Sequence, residues 1–374
     1  MKSVLPKELI VAPNAHKNIS TVLSKYGNRI YIIRAGKSFE DSFWAKNILD
    51  SLNSSSLDFL ISKPLNPEPD ISVVQDLIEE ARSFKADLIC GIGGGSVMDA
   101  AKMTAACFNE NFNSISEYLY SKKIESNGLK SALLATTSGS GSEVSKSVVF
   151  KDSLRGEKRG LRDQKLVADL AIVDPVVTLT LDRATTLYSA LDALTHAVEA
   201  YVSTDSDLVS SFLAKQAFEI IYNNLSQTLR EPQNIIFRER LSKASLFAGI
   251  AFSSAGLGLA HALSHPIGML YNLPHGLVNA IIISYVVEFN YSVVEERYRD
   301  LIFDKKYKSL YNLLRTWFKD LGVAGSFKEL GLKLDNKLKD DILSATLNSG
   351  VLKYNPKQVK REDIYYILEK LWER

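Results

Sequence analysis

The spacing of hydrophobic positions changes about halfway along the chain, near residue 175. Before that point, short runs rich in β-branched residues alternate with segments whose apolar residues recur at helical spacing. The runs predict strands at 29–33, 57–61, 86–91, 132–136 and 171–173, and the segments predict helices at 39–52, 73–84 and 97–107. Because strands that alternate with helices are typical of βαβ units, we expect an α/β region with a mostly parallel sheet.

After Pro175 the strand pattern nearly vanishes and long helical patterns follow. They predict helices at about 182–203, 206–229, 233–253, 258–270, 276–288, 307–321, 335–348 and 361–372. The second half is therefore predicted to be all-helical. A chain of 374 residues is long enough for two domains. We place the α/β domain at 1–177 and the helical domain at 178–374.

Composition narrows the possible partners and the cellular compartment. The formal net charge is +2 without obvious clustering, which argues against nucleic acid or an anionic membrane as a partner. The apolar stretch 276–289 is too short and too polar to span a bilayer, so it predicts a core helix. The N-terminus lacks a signal-peptide hydrophobic segment of usual length, and Cys90 and Cys107 fit a reducing compartment. We therefore expect a cytoplasmic protein.

Two glycine-rich loops follow predicted strands in the first half. The segment CGIGGGSVMDAAK, at 90–102, opens a helix whose free N–H groups and dipole would favour a phosphate. The segment TTSGSGSEVS, at 136–145, adds hydroxyl groups. Taken alone, the first could be a tight strand-to-helix turn and the second an ordinary surface loop. Together, at the carboxyl ends of strands in one sheet, they favour a dinucleotide site.

Four of the five histidines lie between residues 196 and 275, in a pattern with one aspartate. Asp192 and His196 are spaced i,i+4, as are His261 and His265, so each pair lies on one face of a helix. His275 follows in NLPHG. A single such histidine is more often a core residue than a ligand. The concentration nevertheless favours a metal site, for zinc, ferrous iron or manganese.

Spacing alone would make both histidines of the second pair ligands. The nearby helix breakers, Pro266, Gly268, Pro274 and Gly276, are expected to end one helix and redirect the chain, so that His275 can reach the same site.

These segments resemble the iron-containing (group III) alcohol dehydrogenases over nearly the whole chain. GGGSVMDAAK, TTSGSGSEVS, DALTHAVEAYVS and GLGLAHALSHPIGMLYNLPHG are similar to that family's motifs and occur in the same order. The resemblance implies a Rossmann-like α/β domain followed by a helical domain, the dehydroquinate synthase-like fold. It places cofactor and metal in the cleft between the two domains.

The resemblance also assigns individual residues. The metal ligands would be Asp192, His196, His261 and His275. The residue matching His265 would lie near the nicotinamide and substrate and relay a proton, which corrects the ligand assignment from spacing. The cofactor contacts would be Asn66, Gly94, Gly95, Ser96, Asp99, Thr136, Thr137, Ser142 and Lys158.

The chain departs from NAD-specific members of the family in one loop. Those members commonly carry an aspartate after an early strand, whereas this chain has Ala35 or Gly36 at the matching position. Gly36, Lys37 and Ser38, with help from Arg34, could bind the 2′-phosphate of NADP. The alternative is that Lys37 and Arg34 are solvated surface charges. The loop therefore favours NADP over NAD.

The expected function is hydride transfer between NAD(P)(H) and a small alcohol or aldehyde at a divalent metal. The metal would be Fe²⁺, with Zn²⁺ possible, and the protein is expected to be a homodimer. Three alternatives are a metal-free reductase of the maleylacetate kind, a lyase of the dehydroquinate synthase kind, and a non-catalytic nucleotide or metal binder. The complete ligand set argues against the first and third, and the segment DALTHAVEA argues against the second.

Overall fold

The computed structural model describes residues 5–373, except the side chains of Lys37 and Ser38. The strands are β1 Glu8–Val11, β2 Arg29–Arg34, β3 Asp58–Ile61, β4 Leu88–Gly93, β5 Lys130–Ala135, β6 Ser147–Asp152, β7 Glu157–Arg162 and β8 Leu170–Val173. The helices of the first half are α1 Ile19–Leu23, α2 Lys37–Glu40, α3 Phe43–Asn53, α4 Ile71–Phe84, α5 Gly95–Cys107 and α6 Glu117–Tyr120. Those of the second half are α7 Arg183–Val202, α8 Leu208–Arg230, α9 Ile235–Ala255, α10 Leu259–Tyr271, α11 His275–Arg299, α12 Leu310–Asp320, α13 Asn336–Leu347 and α14 Arg361–Glu373.

The first half contains a six-stranded sheet in the order β1-β8-β5-β4-β2-β3, and every pair in it is parallel. A parallel sheet is normally covered by helices on both faces, and this one is. Residues such as Ile78 of α4 and Met98 of α5 pack on one face, and Trp44 and Ile48 of α3 pack on the other. The predicted parallel α/β region is confirmed.

Some elements of the first half were not predicted from the sequence. The edge strand β1 has only four residues, and the antiparallel hairpin β6–β7 includes the polar strand EKRGLR. β1 is short, and no residue of β7 is buried, so neither strand shows a clear alternation of apolar and polar residues. β6 does have a buried face, formed by Val148 and Phe150, which was not predicted. The helix predicted at 39–52 is divided into α2 and α3, since the Ser42 side chain caps α3 by accepting from Ala45 N–H at 3.4 Å.

The second half is all-helical, as predicted, and its helices share one hydrophobic core. Within this core, α7 is buried almost all round. The helix α11 continues to Arg299, beyond the predicted end at 288, with a kink at Val294. It is long and apolar enough to cross a bilayer, but 67% of its most apolar window is buried inside the protein. That burial is what a central core helix requires.

The prediction that Pro266 would help to end a helix is wrong. α10 runs through this proline to Tyr271 and ends where Asn272 adopts a left-handed conformation, with φ of 50°. Proline has no N–H to donate to the carbonyl four residues earlier, which belongs to Ala262. The Thr346 hydroxyl of α13 lies 3.5 Å from this carbonyl, but it donates its one proton to the Ile342 carbonyl at 2.7 Å.

Between the two halves, a short 3-10 segment, Pro175–Thr180, joins β8 to α7. Its first turn is fixed by Asp174, whose side chain accepts from Val176 N–H at 2.9 Å. The division into domains at 1–177 and 178–374 places the boundary in this segment and stays a prediction.

Glu143, in the second glycine-rich loop, should make stability depend on pH. It is 3% exposed, and burial raises the pKa of its carboxyl to about 7 from a usual value of 4.5. Folding favours the neutral form, so this contribution to stability is complete below pH 4.5 and is lost as the pH rises through about 7. In Glu143→Gln, the loss of stability between pH 5 and pH 8 should be smaller by about 1–3 kcal/mol.

Thermal unfolding of both proteins at the two pH values measures this difference. The exposed Glu79→Gln variant is the matched control and should follow the wild type. Equal pH dependence in wild type and Glu143→Gln would contradict the assignment.

Candidate active site

Three helices bring the sequence-predicted polar residues together. α7 carries Asp192 and His196 one turn apart, α10 carries His261 in its first turn, and α11 begins at His275. Pro274 precedes α11 in an extended conformation, so the chain reverses between α10 and α11. The site therefore lies where the start of α10 and the start of α11 both meet the middle of α7.

Asp192 is the centre of this group. Its Oδ1 atom lies 3.8 Å from His196 Nε2, 3.8 Å from His261 Nε2 and 3.6 Å from His275 Nε2. These distances exceed hydrogen-bond length, yet all three Nε2 atoms lie near the same oxygen. The facing atoms of Asp192, His261 and His275 lie within 4.8 Å of one another.

This arrangement fits a divalent metal ion. Bonds of 2.0–2.2 Å in a tetrahedral shell separate neighbouring ligand atoms by about 3.4 Å. The observed separations of 3.6–3.8 Å from Asp192 Oδ1 are close to that value. Nitrogen and carboxylate oxygen without thiolate suit zinc, iron or manganese.

Burial keeps two of the histidines neutral. It lowers the pKa of His196 to about 4 and that of His275 to about 3, so both present a lone pair at neutral pH. Burial alone would raise the pKa of Asp192, but the surrounding histidines, His261 among them, hold it well below its usual range. For His261, burial is outweighed by Asp192 and Glu199, which raise its pKa to about 9.

His265 lies near the other histidines but not near Asp192. Its ring centroid is 5.5 Å from that of His275, close to the 5.4 Å between the rings of His261 and His275, yet its nitrogens are not among those that lie 3.6–3.8 Å from Asp192 Oδ1. Burial lowers the pKa of His265 well below its usual value, and Lys158 and His275 add to this effect.

Two residues that the sequence analysis did not select also belong to the site. Asn279 Nδ2 donates to Asp192 Oδ1 at 2.8 Å and lies 3.1 Å from His275 Nε2, while its own Oδ1 has no partner among the described residues. The Glu199 carboxylate contacts His261 Nδ1 at 2.6 Å. The spacing along the chain places each of them on the same helix face as a predicted ligand, because Asn279 is four residues after His275 and Glu199 three after His196. Their contacts with Asp192 and His261 are made between helices, and spacing does not predict those.

The histidines line one part of a cleft of about 1280 Å³ that extends to the glycine-rich loops. The first glycine-rich loop lies between β4 and α5, the loop at 136–145 follows β5, and these strands are neighbours in the sheet. The two loops approach closely, because a Cβ on Gly95 would lie 2.8 Å from Ser140 Cβ. The predicted cofactor residues that line the cleft are Asn66, Gly94, Gly95, Ser96, Asp99, Thr137, Ser142 and Lys158.

Several of these side chains are held by contacts across the cleft. Ser96 Oγ accepts from the N–H of Glu68 at 2.9 Å, and Lys158 Nζ donates to Glu68 Oε1 at 2.7 Å. Asp99 accepts from the hydroxyl of Ser142, and its other oxygen accepts from Val149 N–H at 2.9 Å. The two loops and the β6–β7 hairpin thus form one connected wall.

Two of the predicted contacts lie away from the cleft. Thr136 is buried behind it, and Gly36 is next to the lining residue Ala35 without being part of the lining. The side chains of Lys37 and Ser38 lie outside the described part of the structure. Arg34 is paired with Glu40 at 2.8 Å, so it is not a free surface charge.

The fold and the site together combine a cleft at the carboxyl edge of a parallel sheet with a His/carboxylate cluster on the helical half. Residues 6–175 match the family model described as iron-containing alcohol dehydrogenase, and residues 186–372 match the C-terminal model of the same family. The chain belongs to the iron-containing alcohol dehydrogenase family.

Relatives of the chain carry names that give different cofactors. The chain is 34% identical over 277 residues to the bifunctional aldehyde-alcohol dehydrogenase of Escherichia coli, a match that covers 71% of this chain but 31% of that protein. It is 28% identical to the NADPH-dependent butanol dehydrogenase of Clostridium saccharobutylicum, covering 99% and 97% of the two chains. It is 27% identical to the NAD-dependent methanol dehydrogenase of Bacillus methanolicus, covering 88% and 89%.

Among solved structures, that of a 1,3-propanediol oxidoreductase is similar, with a TM-score of 0.93 and 25% identity over 99% of each chain. This agreement confirms the predicted fold, an α/β half with a parallel sheet followed by a helical half.

Gly276 should be required for the geometry of the metal centre. A Cβ on this residue would lie 1.9 Å from the carbonyl oxygen of Tyr188, so α11 can start against α7 only if residue 276 is glycine. Gly276→Ala should move His275 away from Asp192, lower stability by about 1–3 kcal/mol and weaken metal binding at least tenfold. Thermal unfolding and metal titration measure the two effects.

Gly350→Ala is the matched control, because a Cβ there has no heavy atom within 4 Å. Metal affinity in Gly276→Ala equal to that of Gly350→Ala would show that the close approach is not needed.

Proposed function

We propose that this protein is a metal-dependent alcohol dehydrogenase that also works in reverse as an aldehyde reductase, with a nicotinamide dinucleotide as cofactor. The observation that carries the proposal is the convergence of three Nε2 atoms on Asp192 Oδ1, at 3.6–3.8 Å, inside a cleft walled by two glycine-rich loops. Family membership supports it. A bound metal would supply Lewis-acid polarisation of the substrate oxygen, and the nicotinamide would carry the hydride.

The proposed metal ligands are Asp192, His196, His261 and His275, from geometry and family together. Fe²⁺ is the metal that the family name implies, and Zn²⁺ would suit the same donors. His196 stacks on Phe252 with a centroid distance of 4.5 Å, which holds its ring against α9. The four residues, which all line the cleft, would together hold the ion.

The cofactor would lie along the glycine-rich loops, with its pyrophosphate at the start of α5. Gly94 and Gly95 leave room for the phosphates, and the N–H groups of the first helical turn would donate to them. Ser96, Asp99, Thr137, Ser142, Lys158 and Asn66 supply polar groups along the same wall. Thr136 and Gly36 would act through neighbouring backbone, since they do not line the cleft.

His265 is the proposed proton carrier. It lines the cleft beside the proposed metal ligands, where its imidazole would accept the proton that an alcohol loses. Its position beside His275, 5.5 Å between ring centroids, puts it next to the proposed ligands without joining them.

The substrate class we propose is a small alcohol or aldehyde with an apolar chain. Apolar residues including Phe252, Leu257, Met269 and Leu270 line the cleft on the helical side. The relatives are named for butanol and methanol, which agrees with this chemistry. A cytoplasmic location and a homodimer stay predictions. The buried, unpaired thiols of Cys90 and Cys107 are consistent with the former.

The first test separates ligand from proton carrier. His261→Ala should lose most of its bound metal, because three remaining ligands leave an incomplete shell. His265→Ala should keep its metal and lose a factor of about 10² to 10⁴ in kcat. Elemental analysis of both purified variants, with kcat for butanol oxidation, measures the two effects. Full metal occupancy in His261→Ala, or metal loss in His265→Ala, would reverse the assignment.

The second test concerns the cofactor, for which we propose a preference for NADP(H). This preference is supported by the absence of an acidic residue at 35–38. A charge-assisted hydrogen bond to a 2′-phosphate would favour NADP over NAD roughly ten- to a hundredfold. Gly36→Asp should reverse the preference by repulsion, and a Cβ there has room, 3.8 Å from Pro64 Cβ. Gly36→Asn, equal in size but neutral, is the control and should not reverse it.

The measurement is the ratio of kcat/KM for NADP and NAD at one ionic strength. Equal values in the wild type, or a preference for NAD, would mean that Lys37 does not face the cofactor. The pairing of Arg34 with Glu40 makes Lys37 and Ser38 the main candidates for the phosphate contact.

A further inference from the structure

Glu199 is a buried carboxylate on the same helix as Asp192 and His196, but it does not face the proposed ion. It is 4% exposed, and it lies two turns after Asp192 on α7. Its Oε2 atom is 2.6 Å from His261 Nδ1, and its Oε1 atom accepts from the N–H of Ala260 at 2.6 Å. Both oxygens are therefore engaged by consecutive residues at the start of α10.

We propose that Glu199 is the positioning residue of the metal centre, holding His261 in the one tautomer that can bind a metal through Nε2. This inference rests on the proposed function, because it assumes that His261 is a ligand. It adds a residue that the motif resemblance did not assign.

The position of a single proton decides which nitrogen of His261 can bind a metal. A neutral imidazole carries one N–H, on either Nδ1 or Nε2. The Glu199 carboxylate accepts at Nδ1, so the proton lies there and the lone pair of Nε2 faces Asp192 Oδ1, 3.8 Å away. A carboxylate behind a ligand histidine also orients the ring and raises its basicity.

The second contact explains why the carboxylate stays in place. The N-cap of α10 is Gly258, which has no side chain to accept from the free N–H groups of the first turn. Glu199 accepts from one of them, so the same carboxylate fixes both the start of α10 and the ring that α10 carries. A negative charge at this helix end is also favoured by the helix dipole.

Glu199→Gln would place an N–H donor where the carboxylate offers only acceptors. The glutamine amide offers one acceptor where the carboxylate offers two, so it either opposes Ala260 N–H or donates to His261 Nδ1. In the second case the histidine proton moves to Nε2 and blocks the ligand atom. Both outcomes weaken metal binding, and alanine removes both contacts.

The test is a titration of the metal-free full-length protein with Co²⁺, followed by the visible absorption of the bound ion and by competition with a chelator. Glu199→Gln should raise the Kd for Co²⁺ about 10- to 100-fold and change the absorption spectrum, and Glu199→Ala should do so at least as strongly. Glu110→Gln is the matched control. Glu110 is also buried, 6% exposed, and accepts from Tyr118 and from the N–H of Glu125, far from the helices of the site.

The outcomes separate this inference from the proposed function. If the wild type binds no Co²⁺, the proposed function fails. If the wild type binds Co²⁺ and Glu199→Gln binds it within twofold of the wild type, the proposed function stands and the positioning role is overturned. A Kd that rises equally in Glu110→Gln would mean a general loss of stability and would also overturn it.

A second measurement needs no Glu199 variant. In metal-free wild type with ¹⁵N-labelled histidine at pH 10, where the His261 ring is neutral, the long-range ¹H–¹⁵N spectrum should show His261 protonated at Nδ1 alone, its signals being identified by their loss in His261→Ala. A proton at Nε2 with Nδ1 bare would contradict the proposal.

Discussion

The charge of Asp192 is the constraint around which the helical half is arranged. This carboxylate is 8% exposed and lies on a largely buried helix, where an unpaired charge would cost several kcal/mol. The chain compensates with polar groups from three directions: a histidine from its own helix, one each from the starts of α10 and α11, and the amide of Asn279. Because these groups must meet at one oxygen, the starts of both helices are fixed relative to α7.

The same requirement explains the close packing at the start of α11 and the unusual capping at the start of α10. α11 approaches α7 so closely that residue 276 has no room for a Cβ, and α10 begins at a glycine whose missing cap is replaced by Glu199. Each feature by itself lowers stability: the glycines lose backbone entropy on folding, and Glu199 buries a charge. Together they place His261 and His275 on the same side of α7, as a metal centre requires.

The parallel sheet supplies the part of the cleft in which we propose that the dinucleotide binds. Neighbouring strands β4 and β5 end at the same edge, so their two glycine-rich loops meet and share one wall with the β6–β7 hairpin. The cleft continues from these loops to the histidines without a break. Transfer of a hydride needs the two reactants in contact, and one continuous cleft brings their sites together.

The amino-acid sequence by itself determined the helices of the second half, the central strands and the family motifs, which include the two glycine-rich loops and the proposed metal ligands. It could do so because these features are local: periodicity, short spacings and turn residues. The tertiary structure decided that α10 passes through Pro266, that β1 and the hairpin join the fold, and that His265 lies outside the group around Asp192 to which its spacing assigned it. It also brought in Asn279 and Glu199, since a contact across helices depends on how the helices pack and not on their spacing along the chain.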